Sequence, residues 1–431
     1  MKLNLKKSWA FGLVAVLMAS ASAAAAQNVS YIHAGRVLAD PATGRVTERQ
    51  TLVIEDGKVK EIRDGFVGEG TVVDLSNKFV LPGFIDSHVH LGGQQGDGDR
   101  ATRFTSTSAD AALRGAQYAK ITLEAGFTTV ADLGGNADAV VGLRNAVAQG
   151  RIVGPRILAS AGTVTPHGGH GDANGVPESM VPLMRTTGVC SGADDCRRAV
   201  RERVRSGADV IKITATGGVL SDTGAGLNQQ FSNDELAAIV ETAHFMGRRV
   251  TAHAHGTDGI NSFLRAGGDS IEHGTFLDNE GIRLLKANGG YLVPTLLAGD
   301  FVAREAQRPG TFFTANQRKK SLEAGPLMLD MARRAHAAGV KIAFGTDNGV
   351  GPHGDNAREF VLLVQAGLTP IEAIRTATIN AADHFGLQDE IGRITAGYNA
   401  DIIAVDGDPL QDVSVLRDVK FVMREGNIYK Q

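Results

Sequence analysis

The sequence predicts an α/β protein, a (β/α)8 barrel of the TIM type with a small β-sandwich domain formed from both chain ends. Three observations support this prediction. Eight short apolar segments alternate with amphipathic helical segments in the middle of the 431-residue chain, as in parallel βαβ units. Short β-like segments lie before and after this middle part. Histidines fall at the ends of several different strands, where barrel enzymes place their sites.

The β-like segments at the two ends define the expected sandwich. The first part runs from Val29 to about Phe79 and contains a hairpin turn at Asp56-Gly57. The second part contains ADIIAVDGDP and VKFVMREGNIYK. We therefore expect residues 27–80 and 389–431 to form the sandwich and residues 81–388 to form the barrel.

The middle of the chain contains the eight strands that a closed barrel needs. Ser232 and Glu235 form a capping box before one of the intervening helices. A doubly wound open sheet is the alternative, but no GxGxxG motif follows the first strand. The expected strands begin at Phe79, Thr128, Arg156, Val210, Arg249, Ser270, Tyr291 and Lys341.

The first 26 residues have the pattern of a signal peptide. Three lysines precede an apolar run from Trp9 to Met18, and small residues follow from Ala21 to Ala26. The apolar run is shorter than the roughly 20 residues that span a bilayer. We expect an exported protein, periplasmic or secreted, without stable membrane insertion.

Charge and cysteine content narrow the partners further. The chain has 44 Lys+Arg against 47 Asp+Glu, so it lacks the positive field that nucleic acid binding requires. Cys190 and Cys196 are the two cysteines. In an oxidising compartment a disulfide between them is favoured over metal binding by a lone cysteine pair.

Histidine and carboxylate side chains at strand ends predict a metal site. His88 and His90 are two apart, so they project to the same side of the first strand. An isolated HxH pair is more often structural. Here His253, His273 and Asp347 end other strands, so nitrogen and oxygen ligands converge on one mouth of the barrel.

Lys212 lies in the apolar strand VIKIT, between Ile211 and Ile213. If those two residues face the helices, the lysine faces the barrel interior. A buried unpaired ammonium is costly or loses its proton. The structural alternatives are a lysine that reaches the barrel mouth or a salt bridge to Asp347. Beside metal ions, a neutral amine can instead add carbon dioxide and become a bridging carbamate.

Polar residues in loops at the same mouth are candidates for substrate binding. His167 and His170 lie in a glycine-rich loop after the third strand. Ser221 lies in the loop after Lys212, and His353 follows Asp347. Histidines on loops are often exposed to solvent without a function, and this is the alternative to substrate binding for His167 and His170.

The motifs LPGFIDSHVHL, VIKI, TAHAHG, SIEHGT, FGTDNG and GRITAGYNADIIAVDGDPL resemble those of the amidohydrolase superfamily. The resemblance covers nearly the whole chain after the first 26 residues. It is strongest to the binuclear peptidase-like branch, the Xaa-amino acid dipeptidases and prolidases, and to bacterial ochratoxin-degrading amidohydrolases. It implies a (β/α)8 barrel with a terminal β-sandwich, and a homo-oligomer.

The resemblance also implies the ligand set. His88, His90 and Asp347 would hold the more buried ion. His253 and His273 would hold the more exposed ion, and carboxylated Lys212 would bridge the two together with a hydroxide. Either histidine of TAHAHG could be the ligand. We favour His253, which continues the strand directly, and expect His255 to contact substrate. Zinc suits the donors, although manganese or cobalt could occupy the same site.

The expected activity is hydrolysis of an amide or peptide bond to a C-terminal amino acid in dipeptides, N-acyl amino acids or ochratoxin-type amides. Asp347 would accept the proton of the attacking hydroxide and pass it to the leaving amine. The alternative enzyme hydrolyses cyclic amides, lactones or phosphotriesters with the same bridging lysine. A mononuclear deaminase, which needs no such lysine, is less favoured, as is a metal-free, non-catalytic binding protein.

Overall fold

The computed structural model describes residues 29–96, 102, 105–222 and 226–431. The expected signal peptide therefore lies outside the described residues. Within the described ranges, no helix has the length and apolar character needed to cross a membrane.

The described residues contain seventeen strands. In chain order they are β1 Val29–Val37, β2 Thr47–Glu55, β3 Lys58–Asp64, β4 Thr71–Pro82, β5 Phe84–Val89, β6 Phe127–Asp132, β7 Arg156–Ala159, β8 Thr163–Pro166, β9 Val189–Cys190, β10 Ile211–Thr214, β11 Val250–Ala254, β12 Ser270–His273, β13 Tyr291–Val293, β14 Lys341–Ile342, β15 Ile402–Val405, β16 Val419–Arg424 and β17 Asn427–Lys430.

The α-helices within the described ranges lie mainly between the barrel strands. They are α1 Ser108–Glu124, α2 Ala137–Ala148, α3 Val181–Met184, α4 Ala193–Arg205, α5 Asn233–Phe245, α6 Thr257–Arg265, α7 Asn279–Ala287, α8 Leu296–Gln307, α9 Ala315–Ala324, α10 Met328–Ala337, α11 Arg358–Gln365, α12 Pro370–Arg375 and α13 Ala381–Phe385.

The barrel strands are parallel and form a closed ring. β5, β6 and β7 pair in sequence, as do β10 to β14, and β8 pairs with β10. Backbone hydrogen bonds close the ring between β5 and the segment after β14: Ser87 N donates to Phe344 O at 2.8 Å, and Asp347 N donates to His88 O at 2.7 Å. The predicted eight-stranded barrel is therefore confirmed.

The third barrel strand is broken into two parts. β7 pairs with β6, whereas β8 pairs with β10. Between them Ala161 and Gly162 have φ values of 52° and 91°, a left-handed backbone that ends the extended conformation. The sequence predicted one continuous strand, because the residue type alanine does not indicate a left-handed backbone.

The start of the first barrel strand also differs from the prediction. Residues 79–82 belong to β4 of the terminal sheet, and the barrel strand β5 begins at Phe84. The two strands are separated at Gly83, where a Cβ atom would lie 2.3 Å from the Thr128 hydroxyl. Only glycine fits this close approach, so the chain changes sheet at this point.

Both chain ends contribute to one seven-stranded sheet with the order β17-β16-β15-β4-β1-β2-β3. β4 joins the two ends, because it pairs in parallel with β1 and antiparallel with β15. Apolar side chains from both halves meet in one core, which includes Ile32, Leu52, Val80, Ile402 and Phe421. The predicted domain built from the two ends is confirmed.

Helices cover the outside of the barrel. Ile211 and Ile213 face this helical layer and are fully buried in the main apolar core, so Lys212 between them faces the interior. The predicted capping box of Ser232 and Glu235 begins α5. A disulfide joins Cys190 to Cys196, as favoured from the sequence, and ties β9 to the first turn of α4.

Candidate functional site

The predicted ligand residues meet at the carboxyl ends of the barrel strands. The ligand atoms of His88, His90 and Asp347, the first group, lie within 4.8 Å of one another. The ligand atoms of a second group of three histidines also lie within 4.8 Å of one another. The rings of His88 and His273 are 5.3 Å apart, so the two groups adjoin. The second group is His253, His255 and His273.

Distances in the first group are short. The Nε2 atom of His90 is 3.0 Å from Asp347 Oδ1, and the Nε2 atom of His88 is 3.4 Å from the same oxygen. Lys212 Nζ lies 3.3 Å from His88 Nε2. The four side chains therefore surround one small volume, although they come from strands that are far apart in the sequence.

Three of the histidines are oriented through their Nδ1 atoms. His88 Nδ1 is hydrogen-bonded to Glu272 Oε2 at 2.8 Å. His255 Nδ1 is 2.8 Å from the Thr275 hydroxyl, and the Nδ1 of His273 is 2.7 Å from the Thr295 hydroxyl. Histidine ligands of metals commonly use the second ring nitrogen in this way, which fixes the ring and directs Nε2 at the ion.

The electrostatics of the buried cluster favour neutral nitrogen donors, except at His90, where burial is outweighed by the hydrogen bond and charge of Asp347 and the pKa is raised. Burial holds the pKa of His88, His253 and His273 well below the usual value, and neighbouring positive groups add to the effect. Burial lowers the pKa of His255 to about 3 and the pKa of Lys212 to about 8. Neutral imidazoles and a readily deprotonated amine are the forms that bind metal or add carbon dioxide.

Asp347 supplies the carboxylate of the site. Burial by itself would raise its pKa, but His88 and His90 hold the pKa below its ordinary value. Asp347 has a φ of 57° and His273 has a φ of 71°. Such left-handed backbones in residues other than glycine cost energy and often occur at functional sites.

These observations show that the residues present fit divalent metal ions. Imidazole and carboxylate donors converge, and the Nδ1 atoms of His88, His255 and His273 have protein partners. The buried Oδ1 of Asp347 has no well-aligned hydrogen-bond donor. A donor set of histidine nitrogens and an aspartate oxygen suits zinc and neighbouring transition metals.

Buried acidic residues near the site, among them Asp86 and Glu272, were not predicted from the sequence. Asp86 accepts hydrogen bonds from the Thr346 hydroxyl at 2.7 Å, from Asn356 Nδ2 at 2.8 Å and from His88 N. Burial raises the pKa of Asp86 to about 6. Asp86 stands two residues before His88, so the strand period was a usable signal for it.

Glu272 immediately precedes His273, so alternation along a strand would place the two on opposite faces. The positive φ of His273 ends the alternation, and both side chains are buried in the site. Glu272 also accepts a hydrogen bond from the Thr251 hydroxyl. The sequence offered no signal for this backbone conformation.

A cavity of about 720 Å³ opens above the cluster. His170, His255 and Ser221 line it, as expected for residues that contact substrate. His170 also packs against the His253 ring, with centroids 4.3 Å apart. Apolar residues line much of the cavity: Leu133, Val176, Met184, Val219, Leu220, Ala298, Val302, Phe312, Met328 and Val350. Polar lining residues include Gln94, Gln95, Asp172, Asn174, Asp222 and Gln317.

Two of the predicted substrate contacts do not reach this cavity. His167 is exposed, and its backbone N–H donates to Cys190 O at 3.0 Å, which places it beside β9 at the loop base. His353 is buried against Tyr118, with ring centroids 4.3 Å apart, and its Nε2 is 3.0 Å from Gly93 O. His353 thus packs behind a cavity-lining loop, and neither histidine is among the described lining residues.

The fold and the donor set define a (β/α)8-barrel protein with a metal-type site at the carboxyl ends of its strands. The chain matches the model of the amidohydrolase family over residues 79–430 and belongs to that family. It is therefore a hydrolase that acts on carbon–nitrogen bonds. The family is generally metal-dependent.

Individual relatives agree with this assignment. The chain is 33% identical to an ochratoxinase of Aspergillus niger, over 93% of this chain and 87% of that protein. A crystal structure of a Xaa-Pro dipeptidase with bound methionine superposes with a TM-score of 0.89 at 39% identity, covering 94% and 100% of the two chains. A prolidase complexed with N-methylphosphonate-L-proline gives a TM-score of 0.84 at 32% identity, covering 94% and 100%.

Proposed function

We propose that the protein is a binuclear metal-dependent amide hydrolase that releases a C-terminal amino acid from dipeptides, N-acyl amino acids or ochratoxin-type amides. The convergence of two groups of donors around Lys212 carries this proposal. The similarity to an ochratoxinase and to a Xaa-Pro dipeptidase supports the class of substrate.

In this proposal His88, His90 and Asp347 hold one ion, and His253 and His273 hold the other. His255 has a hydrogen-bonded Nδ1 and lines the cavity, so it is the alternative to His253 as ligand and otherwise contacts substrate. When bound, two divalent cations polarise the scissile carbonyl and lower the pKa of a water molecule toward neutrality. Zinc fits the nitrogen and oxygen donors.

Lys212 would join the two halves of the site as a carbamate. The neutral Nζ attacks carbon dioxide, forms the N–C bond and releases one proton, which leaves an anionic carboxylate on the nitrogen. A pKa of about 8 makes the neutral amine accessible near neutral pH. The 3.3 Å distance to His88 Nε2 places the amine beside the ligands of the first group.

Asp347 is suited to move the proton. Its carboxylate lies beside His88 and His90 in the centre of the site, and its low pKa keeps it ionised before the reaction. Asp347 would accept the proton of the attacking water and deliver it to the nitrogen of the leaving amine, so that the amine departs in neutral form.

The shape and lining of the cavity support the proposed substrates. A volume of about 720 Å³ lies within the usual range for sites that bind small molecules. Its apolar lining residues would bury an apolar amino acid side chain or an aromatic acyl group.

The decisive experiment is a hydrolysis screen of the purified protein with metal content measured on the same sample. Dipeptides, N-acyl amino acids and ochratoxin A are compared with a dihydropyrimidine, a lactone and a phosphotriester. We expect free amino acid to appear, with about two metal ions per chain. Turnover confined to the second group would favour the alternative hydrolase, and a chain that binds no metal would contradict both activities.

Export to the periplasm or medium and assembly into a homo-oligomer remain proposals from the sequence. Sequencing the N-terminus of the natively produced protein tests cleavage near residue 26. Light scattering of the purified protein tests the oligomeric state.

A further inference from the structure

A buried lysine outside the metal cluster stands directly behind the cavity wall. Lys320 lies on α9 and is 6% exposed. Its Nζ donates to Gly218 O and to Ser221 O, both at 2.6 Å, and is 3.3 Å from the Ser221 hydroxyl. Ser221 lines the cavity, so the ammonium is separated from the cavity by one residue.

The contacts of Lys320 belong to a larger attachment between α9 and residues 218–222. The N-cap residue Thr314 donates its hydroxyl proton to Asp222 Oδ1 at 2.5 Å. Gln317 donates from Nε2 to Leu220 O at 2.7 Å. Because Thr314, Gln317 and Lys320 are spaced three residues apart, they share one face of the helix. That face fixes the whole segment.

The charge of Lys320 is balanced by no ion pair within the described part of the chain. All three oxygens that contact its Nζ are neutral. Within the described residues, no ion pair joins Lys320 to a carboxylate within 4.0 Å. The carboxylate of Asp222, the residue after Ser221, accepts instead from the Thr314 hydroxyl. Burial lowers the pKa of Lys320 to about 8, so the amine is still mostly protonated at neutral pH.

The cavity lining itself offers little positive charge for an anionic substrate. The described lining residues include no arginine, and Lys212 is the one lysine among them. In the proposed function, Lys212 already carries the bridging carbamate. The nearby Arg185 is engaged by Asp172, with Nε 3.1 Å from the carboxylate. Asp172 and Asp222 also line the cavity, and the Asp222 carboxylate accepts from the Thr314 hydroxyl. A substrate carboxylate would therefore meet fixed positive charge at Ser221, in front of Lys320.

We propose that Lys320 is a positioning residue that makes the cavity wall at residues 219–221 electropositive and thereby selects amides whose leaving amine carries a free carboxylate. The inference rests on the proposed function and deepens it, because it assigns the recognition of the amino acid carboxylate to one side of the cavity. A buried charge acts through a low-dielectric wall with little screening by salt, and the rigid attachment keeps it in place without a cost at binding.

The wall is also connected to the metal side of the site. A Cβ atom on Gly218 would lie 2.2 Å from the His170 ring, so the segment and this histidine are in close contact. His170 in turn packs against His253. A substrate carboxylate at the wall would thus be held at a fixed offset from the reacting carbonyl, as a selective hydrolase of amino acid amides needs.

The test compares two substrates that differ in the carboxylate alone. N-acetyl-L-phenylalanine releases phenylalanine, and N-acetyl-phenethylamine releases phenethylamine. For each, kcat and KM are measured on wild type, Lys320→Met, Lys320→Gln and the control Lys319→Met, which removes an exposed lysine one position away. The Lys320→Gln variant retains hydrogen-bond donors while removing the charge.

We expect the wild type and Lys319→Met to prefer the carboxylate substrate equally. Both Lys320 variants should lose about tenfold or more of this preference, mainly through KM, with unchanged metal content. An equal loss for both substrates would show a merely structural role and overturn the proposal, as would an unchanged preference. Failure of both variants to fold would likewise assign Lys320 to stability and overturn it.

A failure of the proposed function is distinguishable from a failure of this inference. If the wild type hydrolyses neither substrate, calorimetric titration with L-phenylalanine and phenethylamine still measures carboxylate recognition. Binding of phenylalanine that is stronger than that of phenethylamine in wild type and lost in Lys320→Gln supports the role of Lys320. Equal binding of both compounds contradicts it.

Discussion

The hydrogen bond between Glu272 and His88 allows a quantitative test of the metal site. Glu272 is fully buried, and its Oε2 accepts from His88 Nδ1 at 2.8 Å. A hydrogen bond to a charged group contributes about 1.5–3 kcal/mol. At about 1.4 kcal/mol per tenfold change in an equilibrium constant, loss of the charge in Glu272→Gln should weaken metal binding about 10- to 100-fold. The same range is typical of residues that orient a ligand.

The assay for Glu272→Gln is competition between the protein and a graded series of zinc chelators, followed by the ion content per chain. Glu241→Gln is the control, because Glu241 is exposed on α5. The metal affinity of this control should equal that of wild type. If Glu272→Gln folds and binds metal as tightly as wild type, then His88 is not a ligand oriented by this carboxylate, and the assignment of the first group fails.

Four further predictions concern single residues. Lys212→Ala should abolish turnover and recover part of it with a short carboxylic acid that replaces the carbamate; kinetics with and without acetate measure this. Asp347→Asn should lower kcat by about a thousandfold or more, as steady-state rates on metal-loaded protein will show. His253→Ala should lose about one metal ion per chain, and His255→Ala should retain both ions. Metal analysis of the two variants measures this, and loss of an ion in His255→Ala but not in His253→Ala would contradict our choice of ligand. Burial raises the pKa of Glu359 to about 8, so the folded state binds more protons than the unfolded state between about pH 4.5 and 8. The free energy of unfolding of the wild type should therefore fall as pH rises through this window. Urea unfolding of wild type and Glu359→Gln at pH 5 and pH 8 should show that the variant gains stability relative to wild type at the higher pH.

Residues in regular strands were predictable from the sequence because alternation fixes the direction of each side chain. His88 and His90 share a face, and Lys212 faces inward between two outward isoleucines. Glu272 and Lys320 were not predictable, for different physical reasons. The first depends on a positive φ in the following residue. The second depends on which helix packs behind a loop about 100 positions earlier in the chain.

The two histidines of the TPHGGHG loop show the limit of this reasoning most clearly. Both follow a barrel strand within four residues, so both were expected at the mouth. The chain leaves β8 for a long excursion and returns as β9 beside it, and this pairing holds His167 at the loop base, where it is exposed. His170 reaches the cavity because Gly218 has no side chain to exclude its ring. The placement of each histidine is thus decided by a partner outside the motif, and any substitution at Gly218 should displace His170 from the cavity while leaving His167 unaffected.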